Sequence, residues 1–452
     1  MNSAFVDYFR CPEEFAKFGV AEELGQIPGF FRLGKDITCF GRSAGPVAQA
    51  PSADLPDALP LMQSRGNDVF LPFDPDEILE NLRRERYIRA EKASSFTKNL
   101  IRKTYYGARP FLSVAVRKHF QRFHLRERKN IEFPRWPIDK TVDTLCGELM
   151  SLAVQTNGNQ RVPFVWFWPD EYTGCALMTH DVEHEEGRAF CGQLMDLDER
   201  HRIRSSFQVV PEERYTVSDG FLESIRARGF EVNVHDLNHD GQLFHNREVF
   251  LDRAKKINEY AGKWRSEGFR SGGMYRNAEW QGALEVRYDM SFPSAAHLEP
   301  QIGGCCTVMP YFLGGLVELP LTTTQDYSLF HIRGEFSIEL WKEQLEYIAA
   351  SNGLATFIVH PDYVIDRRER RLYENLLQHL AELCARAKIW QPLPRDVARW
   401  WRERSQMRVE HSGEAWKVVG GGSERARVAF AQIEDGRLTY HVETAPCRES
   451  IA

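Results

Sequence analysis

Over roughly residues 161–402, short apolar runs alternate with stretches that carry helical, amphipathic spacing. Phe164-Val165-Trp166-Phe167, Cys175-Ala176-Leu177-Met178-Thr179 and the run over 205–211 have the length and apolar content of buried strands. Residues 219–228 carry a helical pattern closed by Gly229, after which Phe230-Glu231-Val232-Asn233-Val234 predicts a strand that delivers His235 at its carboxyl end. A further helix over about 247–264 leads through a Gly268 stop to Phe269-Arg270. Strands alternating with helices predict parallel β/α units, and in such folds chemical groups gather at the carboxyl ends of strands. Asp181, His235, Arg270, Asp289 and His360 all fall at predicted strand ends.

The flanks follow other patterns. Residues 1–155 are irregular, with a Pro/Ala/Ser-rich stretch over 44–60 that predicts a surface loop, and they have the character of an elaboration. Within 81–130, fifteen Lys and Arg stand against three Glu, in a helical pattern with interspersed aromatics. Such a segment is either a solvated helix face or a docking surface for an anionic partner, and the second reading implies peripheral membrane association or a lipid-linked or acidic saccharide. Nucleic acid is not expected, since no domain-wide basic excess accompanies the segment. From 405 the spacing switches to strict alternation separated by Gly-rich and Asp-Gly turns, which predicts a small antiparallel β appendage over 405–452. The division is therefore 1–155, 160–402 and 405–452.

Composition adds bounds. A chain of 452 residues predicts two or three domains, and 42% apolar with 27% charged residues is ordinary for a globular protein. The net charge of -6 selects no class of partner. Nine cysteines in irregular positions, Cys305 and Cys306 adjacent, match neither a disulfide framework nor a structural zinc site. With no basic and apolar leader and no run of eighteen apolar residues, a cytoplasmic location is expected.

Two segments carry the chemistry: Thr179-His180-Asp181-Val182-Glu183 and, about fifty residues later, His235-Asp236-Leu237-Asn238-His239. A single His is more often structural than a ligand, and an Asp that closes a strand is often only a helix cap. Together they supply two carboxylates two apart and two imidazoles four apart, the latter expected on one face of a helical turn. Three such ligands suit a divalent cation with one open position. In extended chain, Asp181 and Glu183 project to the same side, so both can face the ion.

From about Cys175 to Arg395 the chain resembles the polysaccharide deacetylases, the NodB-homology family also called carbohydrate esterase family 4. Five segments match in the family's order. Thr179-His180-Asp181-Val182-Glu183 stands where the family has Thr-Phe-Asp-Asp-Gly, and Gly229 through Asp240 where it has a Gly-His-Glu-Ile-Gly-x-His-(Ser/Thr)-x-x-His strand and turn. Phe269-Arg270-Ser271-Gly272-Gly273 is similar to its Arg-x-Pro motif, Tyr288-Asp289-Met290-Ser291 to its Asp-x-Ser motif, and Phe357-Ile358-Val359-His360-Pro361 to its Leu-x-His motif. The resemblance implies an α/β fold, a distorted (β/α) barrel of the NodB-homology type, with the N-terminal elaboration and C-terminal β appendage attached.

It further implies a metal-dependent deacetylase that removes an N-acetyl group from a sugar or polysaccharide precursor, using metal-activated water, an Asp base and a His acid. His235 and His239 become metal ligands beside a carboxylate, Arg270 orients the base, Asp289 supports Arg270 or the wall of the site, and His360 protonates the leaving amine. Val182 separates the two carboxylates that are adjacent in the family, so two assignments stay open: Glu183 as ligand with Asp181 as base, or the reverse. The family's Pro is replaced by Gly272, which is expected to loosen that loop. Zinc suits the ligand set best, and cobalt, nickel, manganese or iron would also fit. Trp280, Tyr275 and Arg276 are candidates to contact sugar, and Asp326 lies near the same rim; His180, His184 and His245 are expected to be structural or supporting. Two other readings remain: hydrolysis of another non-peptide amide, and a catalytically silent glycan-binding relative.

Overall fold

The apolar run at 175–179 lies inside a nine-residue strand, Gly174–Val182, buried at every position in the computed structural model, which describes residues 3–65, 68–88, 131–158, 160–413 and 415–443. Burial on both faces is the environment of a central parallel strand. Its neighbours are Ser205–Val209 on one side and Leu354–Ile358 on the other, both parallel. Beyond Ser205–Val209 the sheet continues through Glu231–His235, Gly268–Arg270, Tyr288–Asp289 and Leu316–Glu318, and ends on the antiparallel edge strand Tyr311–Leu313. The short strand Ile389–Trp390 pairs with the first residues of Gly174–Val182. This is the β/α alternation anticipated from the pattern, curled into a partial barrel of mixed α/β class.

Helices Glu185–Arg200, Asp219–Ala227, Arg247–Trp264, Glu339–Ala350 and Arg367–Ala387 each bury an apolar face, and together with the sheet they form one core. Helix Arg247–Trp264 ends on Arg265, whose φ of 52° supplies the left-handed turn, so the expected Gly268 stop is not what ends it. Gly268 is instead the first residue of a strand, where a Cβ would lie 2.2 Å from the Tyr288 ring.

The seam of the partial barrel is closed by side chains. Thr322 Oγ1 donates to the Leu354 carbonyl at 2.7 Å and accepts from the Thr356 amide at 2.9 Å, while Thr323 Oγ1 donates to the Thr356 carbonyl at 2.8 Å. These threonines hold the segment after Leu316–Glu318 against the last long strand, which carries Asp326 to the carboxyl rim.

Outside the barrel, one strand of the 160–402 stretch pairs with the C-terminal segment. Val162–Val165, assigned from its apolar run to the barrel, pairs antiparallel with Val428–Glu434, which in turn pairs with Arg437–Val442. Val162–Val165 is an edge strand, and the missing N–H of Pro163 is tolerated there. A second hairpin, Arg408–Ser412 with Ala415–Val419, completes the described part of the C-terminal sheets. The N-terminal region is also built rather than irregular: helix Pro75–Arg83, hairpin Gly29–Leu33 with Ile37–Gly41, and helix Thr141–Thr156 share one apolar core with residues 162–168 and 397–431. Of the basic stretch at 81–130, residues 89–130 lie outside the described residues. Among the described residues, no helix is long and apolar enough to cross a membrane.

Candidate active site

Thr179, Asp181 and Glu183 leave the end of Gly174–Val182 on one face, as a period of two requires. The intervening Val182 is fully buried in the barrel core, so the extra residue between the carboxylates is absorbed by packing on the other face. Arg270, wholly buried, donates through Nη1 to Asp181 Oδ1 at 2.6 Å and to Thr179 Oγ1 at 2.7 Å. Its Nε donates to the Met290 carbonyl at 3.1 Å, which fixes the guanidinium plane. One Asp181 oxygen is thus committed to Arg270, and the other faces His235 Nε2 at 3.7 Å.

His235 stands in register with Arg270 on the adjacent strand. Its Nδ1 lies 3.1 Å from the Arg270 carbonyl, which can only accept, so Nδ1 carries the proton and Nε2 presents a lone pair. The chain then turns sharply, with positive φ at Asp236 (55°) and His239 (53°), so the two histidines converge through a left-handed turn and not through the helical turn expected from their spacing. Asp236 stabilises this turn by accepting from the Leu237 amide at 2.7 Å and the Gly272 amide at 3.1 Å. Arg214, which no sequence motif marks, donates to the carbonyls of Asn238 and His239. Gly272 is required here: a Cβ would stand 2.5 Å from Asp236 Oδ2 and 2.8 Å from His239 Cδ2. The expectation that Gly272 loosens the loop is therefore reversed, because the glycine lets the loop close on His239.

His360 completes the ring of groups. Its Nδ1 lies 2.6 Å from Asp326 Oδ1, and its backbone amide donates to Asp326 Oδ2 at 2.6 Å. Asp326 was a candidate for substrate contact, but it is fully buried and both its oxygens are committed to His360. His360 Nε2 points inward, 3.4 Å from Glu183 Oε1. Tyr363 packs its ring 4.8 Å from that of His360.

The remaining candidates lie elsewhere. Asp289 is in register with Phe269, one residue off Arg270. Its oxygens accept from Ser291 Oγ at 2.6 Å, from the Met290 amide at 2.8 Å and from Gln281, so it reaches the arginine loop indirectly, through Met290 and through Ser291, which accepts from the Ser271 amide. Arg276 is buried in a two-point ion pair with Glu85, at 2.8 and 2.5 Å, which corrects its assignment to the sugar. Trp280 is half-buried and packs against Phe244 and Phe250 at the margin of the barrel core. Tyr275 is half-buried beside the Gly272–Met274 turn. His180 is a buried strut between the Val359 carbonyl and Asp198, and His184 and His245 are exposed.

Glu183 Oε1 lies 2.9 Å from His239 Nε2 and 3.5 Å from His235 Nε2. Both imidazole nitrogens are buried, and although Glu183 stands against them neither makes a well-aligned hydrogen bond. Orphaned buried nitrogens converging on a carboxylate form a donor set that fits a divalent cation, and the ligand atoms of Glu183, His235 and His239 all lie within 4.8 Å of one another. Charge is distributed accordingly. Burial opposes ionisation of Glu183, but His239, His235 and His360 outweigh it and hold the carboxyl well below the usual range. Burial also opposes an ionised Asp181, and Arg270 first, then His235 and His360, keep it below its ordinary value. Burial pushes the His360 imidazolium down, whereas Asp326 and Glu183 raise it well above the ordinary histidine value.

No family model and no curated protein matches the chain. Solved structures do match, at low identity and over about half of this chain. One is a provisional polysaccharide deacetylase from Mycobacterium smegmatis, at 18% identity over 56% of this chain and 98% of the other, with a TM-score of 0.44. A second is a peptidoglycan deacetylase from Bacillus subtilis, at 12% identity over 52% and 96%, TM-score 0.34. A third is an allantoinase, at 13% identity over 52% and 92%, TM-score 0.39. Polysaccharide deacetylases recur among the solved structures to which this chain is similar.

Proposed function

We propose that the protein is a metal-dependent hydrolase of an amide C–N bond, removing an N-acetyl group from a sugar or sugar-containing precursor. The observation that carries this reading is the separation of two proton-handling groups across one ligand cluster: Asp181 held by Arg270 on one side, His360 held by Asp326 on the other, and Glu183 between them. A divalent cation on Glu183, His235 and His239, with zinc the best match to that set, would supply Lewis acidity and a more acidic water. Asp181 is the base, since Arg270 keeps it ionised while leaving its second oxygen free of that contact to accept a proton. His360 is the acid. Its Nδ1–H is committed to Asp326, so the Nε2 proton is the one available to the departing nitrogen, which avoids expulsion of an amide anion. Glu183, with its oxygen against three imidazoles, suits the ligand role better than the base role.

Acetate release from N-acetylated mono- and oligosaccharides tests the reading. The wild type is expected to release acetate, and Asp181→Asn to lose at least about 10²-fold in kcat while retaining its fold. Unchanged turnover in Asp181→Asn would refute the base assignment.

A further inference from the structure

His180 turns away from the reaction. It lies between Thr179 and Asp181, so the alternation that sends those two side chains into the barrel sends its ring to the outer face, with ring centroids 4.9 Å from Phe207 and 5.9 Å from Tyr373. The side chain is wholly buried, and both nitrogens are engaged. Nδ1 lies 3.0 Å from the Val359 carbonyl, which can only accept, so that nitrogen is protonated and donates. Nε2 lies 3.0 Å from Asp198 Oδ2. Asp198, from helix Glu185–Arg200, also accepts from Ser205 Oγ at 2.6 Å and from the Tyr373 hydroxyl on helix Arg367–Ala387. Its carboxyl group is thus tied to both helices and the next strand, and it holds the His180 ring in one orientation.

That orientation controls one peptide. The parallel ladder between Gly174–Val182 and Leu354–Ile358 ends with the Val359 amide donating to the Thr179 carbonyl at 3.0 Å, and Pro361 has no N–H with which to continue it. His360 lies just past that end. Its peptide with Val359 is held by side chains on both edges instead: the carbonyl by His180 Nδ1, and the N–H by Asp326 Oδ2 at 2.6 Å. Asp326 is the residue before the π-helix Tyr327–Arg333 and comes from another part of the rim. A planar peptide held at one edge can still tilt, whereas contacts at both edges fix its plane and with it the direction of the His360 side chain. The deacetylase motif has Phe in place of His180, and a Phe ring can hydrogen-bond neither the carbonyl nor Asp198, so this contact does not follow from the resemblance.

We propose that His180, held by Asp198, is a positioning residue for the acid: by fixing the Val359 carbonyl from the outer face of the barrel, it sets the direction in which His360 Nε2 meets the leaving nitrogen. This rests on the amide-hydrolase reading, in which His360 delivers that proton.

Leaving groups of different basicity separate positioning from plain stability. An amine must be protonated to depart and a nitrophenolate need not be, so a misaligned acid harms acetate release from an N-acetylated sugar more than from 4-nitrophenyl acetate. His180→Phe keeps ring packing and cannot donate, while His180→Gln keeps a donor for the carbonyl. His180→Phe is expected to lower kcat on the amide by about 10²-fold with KM and metal content unchanged, and to shift the amide-to-ester ratio of kcat by at least about tenfold. His180→Gln should restore most of that ratio. Asp198→Asn, which leaves His180 in place with a weaker hold, should shift the ratio in the same direction, and it decides the matter alone if His180→Phe does not fold. Hydrogen exchange gives a readout without turnover: the His360 amide should exchange at least about tenfold faster in His180→Phe, while amides inside Gly174–Val182 keep their protection.

Equal losses on amide and ester, a His180→Gln variant as impaired as His180→Phe, or faster exchange throughout the sheet would each overturn the positioning role. If exchange quickens at His360 alone and the wild type releases acetate from neither substrate, the hold on the peptide stands and the hydrolase reading falls. If the wild type deacetylates the sugar and His180→Phe keeps both the ratio and the protected amide, the hydrolase reading stands and the positioning role falls.

Discussion

Asp326 accepts two hydrogen bonds from His360, one from Nδ1 and one from the backbone amide, each at 2.6 Å. An amide in place of the carboxylate can accept only one of them, because its NH2 would face a donor. Asp326→Asn is therefore expected to disorient His360 and lower kcat by about 10²–10⁴-fold, within the range for general acid catalysis. Metal content should not change, since Asp326 offers nothing to the cluster at Glu183. A variant with wild-type kcat would show that His360 is not the acid.

The division of labour between Asp181 and Glu183 can be read from metal content apart from turnover. Glu183→Gln and the His235→Ala, His239→Ala double variant are expected to lose the bound cation, whereas Asp181→Asn keeps it and loses activity. Elemental analysis of purified protein measures this directly. Loss of metal in Asp181→Asn with retention in Glu183→Gln would exchange the two roles.

Gly272→Ala examines the turn that presents His239. The added Cβ would meet Asp236 Oδ2 at 2.5 Å and the His239 ring at 2.8 Å, so either the loop or the histidine must shift. Cation affinity should fall by about 10–100-fold, as for other groups that orient a ligand, with little change in secondary structure by circular dichroism. Gly272→Pro should do at least as much harm, since it also removes the amide that donates to Asp236. An unaltered affinity in both would mean that His239 does not hold the ion.

Strand ends were legible in the sequence because apolar runs of fixed length point to them, and the structure brings Asp181, Glu183, His235, His239, Arg270 and His360 together there. What escaped was everything supplied by distant or unpatterned chain. Asp326 arrives through threonine side chains that close the seam, Arg214 acts on backbone carbonyls, and a π-helix has no spacing signature of its own. The apolar run of Val162–Val165 was visible, but its partner strand lies more than 260 residues later, and short runs do not name their partners. The pairing of Arg276 with Glu85 escaped for a related reason: proximity to Arg270 in sequence says nothing about which face of the loop a side chain occupies.

Glu85 and Arg276 join the N-terminal region to the loop that follows Arg270. Arg276 Nη1 also donates to the Met274 carbonyl at 2.8 Å, so the pair steadies the same turn that carries Gly272. Glu85→Ala leaves a buried guanidinium without its counter-charge, which should destabilise the fold by about 3–5 kcal/mol. Chemical denaturation should show this, and the double variant Glu85→Leu, Arg276→Met should recover much of the loss. A single variant as stable as wild type would mean that the pair does not anchor the loop.

Asp289 and Glu318 occupy register positions on neighbouring parallel strands, both fully buried. Burial raises both carboxyls, Asp289 to about 6 despite hydrogen bonds from Ser291 and the Met290 amide, and Glu318 further because Asp289 lies beside it. At mildly acidic pH the folded pair holds protons that the unfolded chain releases, so its contribution to stability is complete below the unfolded carboxyl pKa near 4 and is lost as pH rises through about 6. A shift of this size corresponds to about 3 kcal/mol across that interval. Asp289→Asn, which keeps the shape and cannot ionise, is expected to flatten the pH dependence of the denaturation midpoint between pH 4 and 7. If the midpoint of Asp289→Asn still falls over that range as steeply as in the wild type, the pair does not share a proton in the folded protein.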